Sequence, residues 1–323
     1  MGRPTVVITH WVHDEVLRLL EGTCTVIPNT SHETLPRSEI LRRSHAADGL
    51  MAFMPDRIDE EFLAGCPRLK VIGAALKGYD NFDVEACQRR GILFSNVQEL
   101  LTEPTAELAV ALLLGVGRTI LTGDSQVRSG QFKGWRPVLY GKGVAGSTVG
   151  IVGMGAIGQA VARRLRGFRC HLLYSDPHPV EQEVHTSLGL TRLPLDELLS
   201  QSNFIVLTVP LTPQTRHIIN SATLAGIKRG AYLINVGRGS VVDESAVSDA
   251  LVSGQLDGYA ADVFEFEDWA RDDRPLAINP ALLANRGNTL FTPHLGSAVD
   301  SVRREIALEA ARMILSTLDV TIG

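Results

Sequence analysis

The chain lacks several features that would assign it to a class at once. Its four cysteines, Cys24, Cys66, Cys87 and Cys170, form no CxxC pair and lie in unrelated segments. They indicate neither a zinc site nor a disulfide framework, and they suit a reducing compartment. There is no basic excess, since 31 Lys+Arg against 36 Asp+Glu leave a net charge of −5. That balance excludes an overall field drawing the protein to nucleic acid or to an anionic membrane, but it leaves room for a local cationic pocket. The opening MGRPTVVITH has no apolar signal-like core, and the most apolar helical stretch, LAVALLLGVG from Leu108, is too short to span a bilayer. A cytoplasmic location is the expectation. Internal repeats, low-complexity tracts and long linkers are absent as well.

What is present is the make-up of a globular protein, with 323 residues of which 45% are apolar and 21% charged. At about 100 to 200 residues per domain this length predicts two domains. The first hundred residues alternate apolar runs (VVIT from Val6, LMAF from Leu50, KVIGA from Lys70) with the helical patterns DEVLRLLEG and RSEILRRS. Such alternation predicts an α/β layer with a parallel sheet. PTAELAVALLLGVGRTI from Pro104 predicts one long helix, with Thr102 as its cap and Glu107 near its positive end. Six further short runs follow (STVGIV, HLLYSD, NFIVLTV, AYLINV, GYAADV and NTLF), as in a doubly wound sheet.

The strongest local signal opens this second series. The predicted strand Thr148 to Val152 runs into Gly153, Met154, Gly155, Ala156, Ile157, Gly158 and then a helical stretch, which is G-x-G-x-x-G in its proper setting. The first glycine permits the turn, the second admits a pyrophosphate, the third lets helix pack on strand, and the helix N-terminus faces the anion. The next strand ends in Asp176, 18 residues beyond Gly158 (176 − 158), where a carboxylate can accept hydrogen bonds from ribose hydroxyls. It would repel a 2′-phosphate, and no Lys or Arg follows until Arg192, so NAD is favoured over NADP. Because the fingerprint lies in mid-chain, a Rossmann cofactor domain over 101–293 is expected as an insertion into a flavodoxin-like, doubly wound substrate domain formed by 1–100 and 294–323. The active site is then expected in the cleft between them.

Three polar positions follow strands of the second series: Arg238 in NVGRGSVVDE, Glu267 in DVFEFEDW and His294 in TPHLGS. Each has a plain alternative, as a surface-turn arginine, an acidic-loop glutamate and a histidine after a proline. Their shared position past strand ends of one nucleotide-binding sheet is what raises them as a group.

GMGAIG, NVGRGSVVDE, the acidic loop after ADVFE, and TPHLGS together resemble the D-isomer-specific 2-hydroxyacid dehydrogenase family over nearly the whole chain. The resemblance implies that Arg238 binds the substrate anion, that His294 is the acid/base and that Glu267 orients it. It implies further cofactor contacts from Leu101, Thr105, Pro177, Val209, Pro210, Val236, Gly237, Asp262 and Gly296, and no metal. A homodimer through the long helix and the following loop to Gly143 is also implied.

One residue departs from the ordinary pattern of that family. Lys77, in GAALKGYDNFDV, stands where many relatives place a small or neutral polar residue. A lysine acting with Arg238 would put two cations on one small substrate, which suits a compact dianion better than a singly charged hydroxy acid. LMAFMPDR, ALKGYDNFDV, FKGWRPVLYGKG and ADVFEFEDWARDDRP resemble the phosphite dehydrogenase (phosphonate dehydrogenase) branch of the family. That resemblance implies oxidation of phosphite by NAD, with water as the oxygen source. Lys77 and Arg238 would hold the substrate, and Met54, Asp80, Trp135, Tyr140, Trp269, Ser297 and Arg303 would line or support its pocket. Asp176 replaces the glutamate expected of that branch, which leaves the preference for NAD intact. The alternatives are an ordinary NAD-dependent dehydrogenase of a 2-hydroxy acid such as glycerate or lactate, and an NAD(H)-sensing corepressor-like binding protein.

Overall fold

Short β-branched runs separated by amphipathic segments become parallel strands with helical crossovers, and both expected series of them do so in the computed structural model, which describes residues 2–318. Thr102–Asp268 with Asp273–Gly296 form one compact unit, and the other described residues, including the Trp269–Asp272 loop, form a second. His294 thus falls in the first of these and Trp269 in the second.

The unit containing the N-terminal segment has a five-stranded sheet of β1 (Thr5–Ile8), β2 (Thr25–Ile27), β3 (Gly49–Ala52), β4 (Val71–Ala74) and β5 (Leu93–Asn96), in the order β2-β1-β3-β4-β5. Every pairing is parallel. Successive side chains leave a strand on opposite faces, so Val6 and Ile8 join one apolar layer with helices Asp14–Glu21 and Asp300–Thr317, while Val7 joins another with Arg37–Ser44 and Glu60–Ala64. Gly73 makes room for the helix Asp300–Thr317, since a β-carbon there would meet Ile314 Cγ1 at 2.7 Å.

The other unit has seven parallel strands: β6 (Thr148–Val152), β7 (His171–Ser175), β8 (Leu190–Arg192), β9 (Phe204–Leu207), β10 (Ala231–Asn235), β11 (Leu256–Ala261) and β12 (Thr289–Phe291). Their order is β12-β11-β10-β9-β6-β7-β8. Six match the expected runs, and β8, which is short and polar, was not expected. Helices Thr102–Gly117 and Ala156–Leu165 cover one face and Leu195–Gln201 and Glu244–Val252 the other. The helix from Pro104 is corrected at both ends. Thr102 is its first residue rather than its cap, and it stops at Gly117 instead of running on to Ile120. Gly117 packs against Phe204 and its carbonyl accepts Lys142 N at 2.7 Å. Thr119 at φ +49° then turns the chain into a separate helix, Ile120–Arg128. Among the described residues no single helix is long and apolar enough to cross a membrane.

Candidate active site

In a parallel sheet every strand delivers its following loop to the same edge. Gly153 follows β6, Asp176 β7, Val209 and Pro210 β9, Arg238 β10, Asp262 β11 and His294 β12. Nearly all the sequence-predicted residues of this unit therefore gather at one sheet edge.

The glycine loop has the shape its sequence requires. Gly153 adopts φ +92°, and its carbonyl accepts Thr208 Oγ1 at 2.7 Å. A β-carbon on Gly158 would lie 2.2 Å from that same carbonyl, so only glycine allows helix Ala156–Leu165 to start so near β6. A β-carbon on Gly155 would meet nothing within 4 Å. Gly155 caps the helix without a side chain, which leaves the first-turn N–H groups to an anion. Asp176 closes the loop: Oδ2 accepts Met154 N at 2.8 Å and Oδ1 accepts His178 N at 2.9 Å. Beside it lies a cavity of about 590 Å³ walled by Val152, Pro177, Leu193, Val209 and Ile218, apolar enough for an adenine, with Asp176 at its polar edge. The residues present fit a dinucleotide. Ala156 opens the helix, and Ile157 packs beneath it.

The remaining expected cofactor positions support this edge. A β-carbon on Gly237 would approach Val209 O to 2.6 Å, and one on Gly296 would meet Thr105 Oγ1 at 3.2 Å and Asp262 Oδ2 at 3.3 Å. Pro210 O accepts Thr215 Oγ1 at 2.6 Å, and Val236 is buried in the core. Leu101 belongs to the other unit and packs on its core.

The catalytic candidates are bonded to one another. His294 Nδ1 and Glu267 Oε2 are 2.8 Å apart, and Glu267 Oε1 accepts Phe264 N at 2.8 Å, which fixes the carboxylate. With the Nδ1 proton assigned to that contact, Nε2 is left for a substrate or a water. His294 takes φ +56°, an uncommon left-handed conformation. Asp262, 2% exposed, holds it there, its carbonyl accepting His294 N at 2.9 Å. The Asp262 carboxylate accepts Thr292 Oγ1 and Leu295 N, both at 2.6 Å, and Gly296 N at 2.8 Å. Burial pushes this carboxyl up from its ordinary range, and those hydrogen bonds oppose the shift.

Arg238 follows a fully buried residue, Asn235, whose amide donates to Arg238 O at 2.9 Å and accepts Gly237 N at 3.1 Å. The next glycine, Gly239, lies directly against Phe264, and Ser240 N donates to the buried Asp268 carboxylate at 2.7 Å. The arginine loop and the Glu267 loop are thereby joined. Neither Asn235 nor Asp268 carried any signal in the sequence.

In the other unit, Lys77 follows the buried Leu76 just past β4, and its carbonyl accepts Asn96 Nδ2 at 2.6 Å. Asp80 lies in the same loop. Asn81, 3% exposed and unnoticed in the sequence, donates to Met54 O at 2.9 Å and accepts Ala270 N at 3.2 Å, so it ties Met54 and the Trp269 loop to the lysine loop. A cavity of about 530 Å³ is lined by Met54, Phe53, His10 and Arg303. Arg303 donates to Ser297 Oγ at 3.2 Å and lies over the Phe53 ring at 5.9 Å, and its burial depresses its basicity. Trp135 and Tyr140, in the unit of the seven-stranded sheet, are 82% and 78% exposed.

Residues 110–296 match the family described as D-isomer specific 2-hydroxyacid dehydrogenase, NAD binding domain. A glyoxylate reductase of Pyrococcus horikoshii is 37% identical over 319 residues, covering 97% of this chain and 92% of that protein. A solved structure from Thermus thermophilus superposes with TM-score 0.88 at 37% identity, covering 98% of this chain and 97% of that one. An NADPH-dependent glyoxylate/hydroxypyruvate reductase from Sinorhizobium meliloti, solved with NADP and malonate, gives 0.82 at 28% identity, covering 96% and 92%. On these matches, and with an NAD-binding sheet edge that carries Arg238, Glu267 and His294, the chain belongs to the D-isomer-specific 2-hydroxyacid dehydrogenase family.

Proposed function

We propose that this NAD-dependent oxidoreductase oxidises phosphite to phosphate, with water supplying the added oxygen. The observation that carries this reading is Lys77, a cation set in the loop just past the buried end of β4 and tied down there through its own carbonyl. An ordinary hydroxy acid offers one carboxylate for Arg238 to grip. A phosphite dianion offers enough charge for Arg238 and Lys77 together.

Bound NAD supplies the hydride acceptor at its nicotinamide ring. Arg238 grips the phosphite oxygens in a planar fork, and Lys77 adds the second positive charge. His294, oriented by Glu267, takes the proton from the water whose oxygen adds to phosphorus as the P–H hydrogen leaves with its electron pair. Phosphite, water and NAD thus give phosphate, NADH and a proton. Met54, Asp80, Trp269, Ser297 and Arg303 shape or support the substrate pocket.

A second reading is favoured by the relatives named glyoxylate reductase. Arg238, Glu267 and His294 also suffice for interconversion of a 2-oxo acid and its 2-hydroxy acid. The two are separated by following NADH with phosphite, glycerate and lactate in turn, and by running glyoxylate with NADH. Two further assignments accompany the proposal: a homodimer through the long helix from Pro104 and the following loop to Gly143, where Ile120, Val127, Trp135 and Tyr140 are exposed, and a cytoplasmic, reducing setting in keeping with four free thiols.

A further inference from the structure

Arg192 is 16 residues from Asp176 in sequence and adjacent to it in the fold. β8 pairs with β7 so that Arg192 stands opposite Tyr174, two residues before Asp176. Its guanidinium turns back over the loop after β7, where Nε and Nη2 donate to Asp176 O at 3.3 and 2.9 Å and Nη2 also donates to Pro177 O at 2.8 Å. These bonds fix the plane of the guanidinium and leave the Nη1 hydrogens without a partner among the described residues. The Asp176 carboxylate is held separately, by Met154 N and His178 N, and the exposed His178 ring lies 3.9 Å from it. Arg192 and Asp176 both line the cavity beside the glycine loop. One rim of that cavity therefore presents a fixed carboxylate and a fixed guanidinium side by side.

We propose that Arg192 is a specificity-determining residue that grips a 2′-phosphate on the adenosine ribose, so that the chain binds NADP as well as NAD, with Asp176 alone setting the preference for NAD. A carboxylate at this place accepts the ribose hydroxyls and repels a 2′-phosphate, while a nearby arginine accommodates one. Because three carbonyl contacts already hold the side chain, little rotamer freedom is lost when an anion arrives. The proposal concerns the adenosine end of the cofactor and stands apart from the choice between phosphite and a hydroxy acid.

The test is calorimetric binding of 5′-AMP and 2′,5′-ADP, neither of which can turn over. In the Asp176→Ala protein, 2′,5′-ADP is expected to bind about 10- to 100-fold more tightly than in the parent, as one repulsion is removed and a charge-assisted contact is exposed. Adding Arg192→Ala is expected to raise the ratio of the 2′,5′-ADP to the 5′-AMP dissociation constant about tenfold or more, with Arg192→Lys intermediate. The 5′-AMP arm reports whether the loop remains folded. The proposal is overturned if Arg192→Ala weakens both ligands equally, or neither, and equally if the parent protein fails to bind 5′-AMP, since the adenosine site would then be misplaced.

Discussion

Glu267 and His294 stand 27 residues apart in the chain and 2.8 Å apart in space, with the second carboxylate oxygen of Glu267 fixed by Phe264 N. This contact sets which imidazole nitrogen is presented, because a carboxylate can only accept. In Glu267→Gln the amide oxygen can still take Phe264 N, which directs its NH2 at Nδ1 and places the histidine proton on Nε2. We expect kcat to fall about 10²-fold or more, with KM changed much less and the fold unaltered. His294→Ala is expected to lose about 10²- to 10⁴-fold. Steady-state kinetics on the purified variants decide it, and an undiminished kcat in Glu267→Gln would remove the orienting role.

The glycine loop gives a paired prediction in which one variant damages the fold and the other the cofactor site. A methyl group on Gly158 would lie 2.2 Å from Gly153 O, whereas one on Gly155 meets nothing in the chain. Gly158→Ala is expected to cost about 1–3 kcal/mol of stability, seen as a lowered Tm. Gly155→Ala is expected to melt like the parent and to bind NAD about tenfold or more weakly, because its methyl group occupies the pyrophosphate's approach.

These glycines were legible in the sequence because their constraints are local, each concerning a turn or a contact within a few residues. The same holds for Asp176, Arg238, Glu267 and His294, which take their places from strand ends. What stayed hidden depends on distant partners. Asn81 bonds Met54 and also Ala270, 189 residues further along the chain, and no spacing announces such a bridge. β8, reading LTR, is too short and too polar to register as a strand, and missing it made Arg192 look remote from Asp176. Trp135 and Tyr140 came from resemblance alone, and within one chain they stand in the open.

That exposure supports the next expectation. Helix Ile120–Arg128 buries none of its residues, and Ile120, Val127 and Phe132 are 57%, 58% and 56% exposed. Large apolar side chains left in water on this helix and the loop after it call for a cover. Light scattering should give twice the chain mass of 35.0 kDa, and Ile120→Asp combined with Val127→Asp should shift the protein toward the single-chain mass. A parent that is monomeric at micromolar concentration would contradict the dimer.

Burial pushes the thiols of Cys66 and Cys87 up to about 11. At neutral pH only a minute fraction of either is thiolate, the form that reacts. Both should resist maleimide in the folded protein and label fully in denaturant, with the only partly buried Cys170 labelling first. Mass spectrometry of the labelled peptides reads the order, and rapid native labelling of Cys66 or Cys87 would contradict the packing around them.

The proposed function has Lys77 and Arg238 together hold a small inorganic dianion. Its most direct test is NADH formation from NAD and phosphite by the parent protein and by Lys77→Ala, beside glycerate, lactate and, in the reverse direction, glyoxylate. The account predicts that phosphite is the best substrate and that Lys77→Ala lowers its kcat/KM about 10²- to 10³-fold. Good turnover of a hydroxy acid or of glyoxylate with none of phosphite would contradict it.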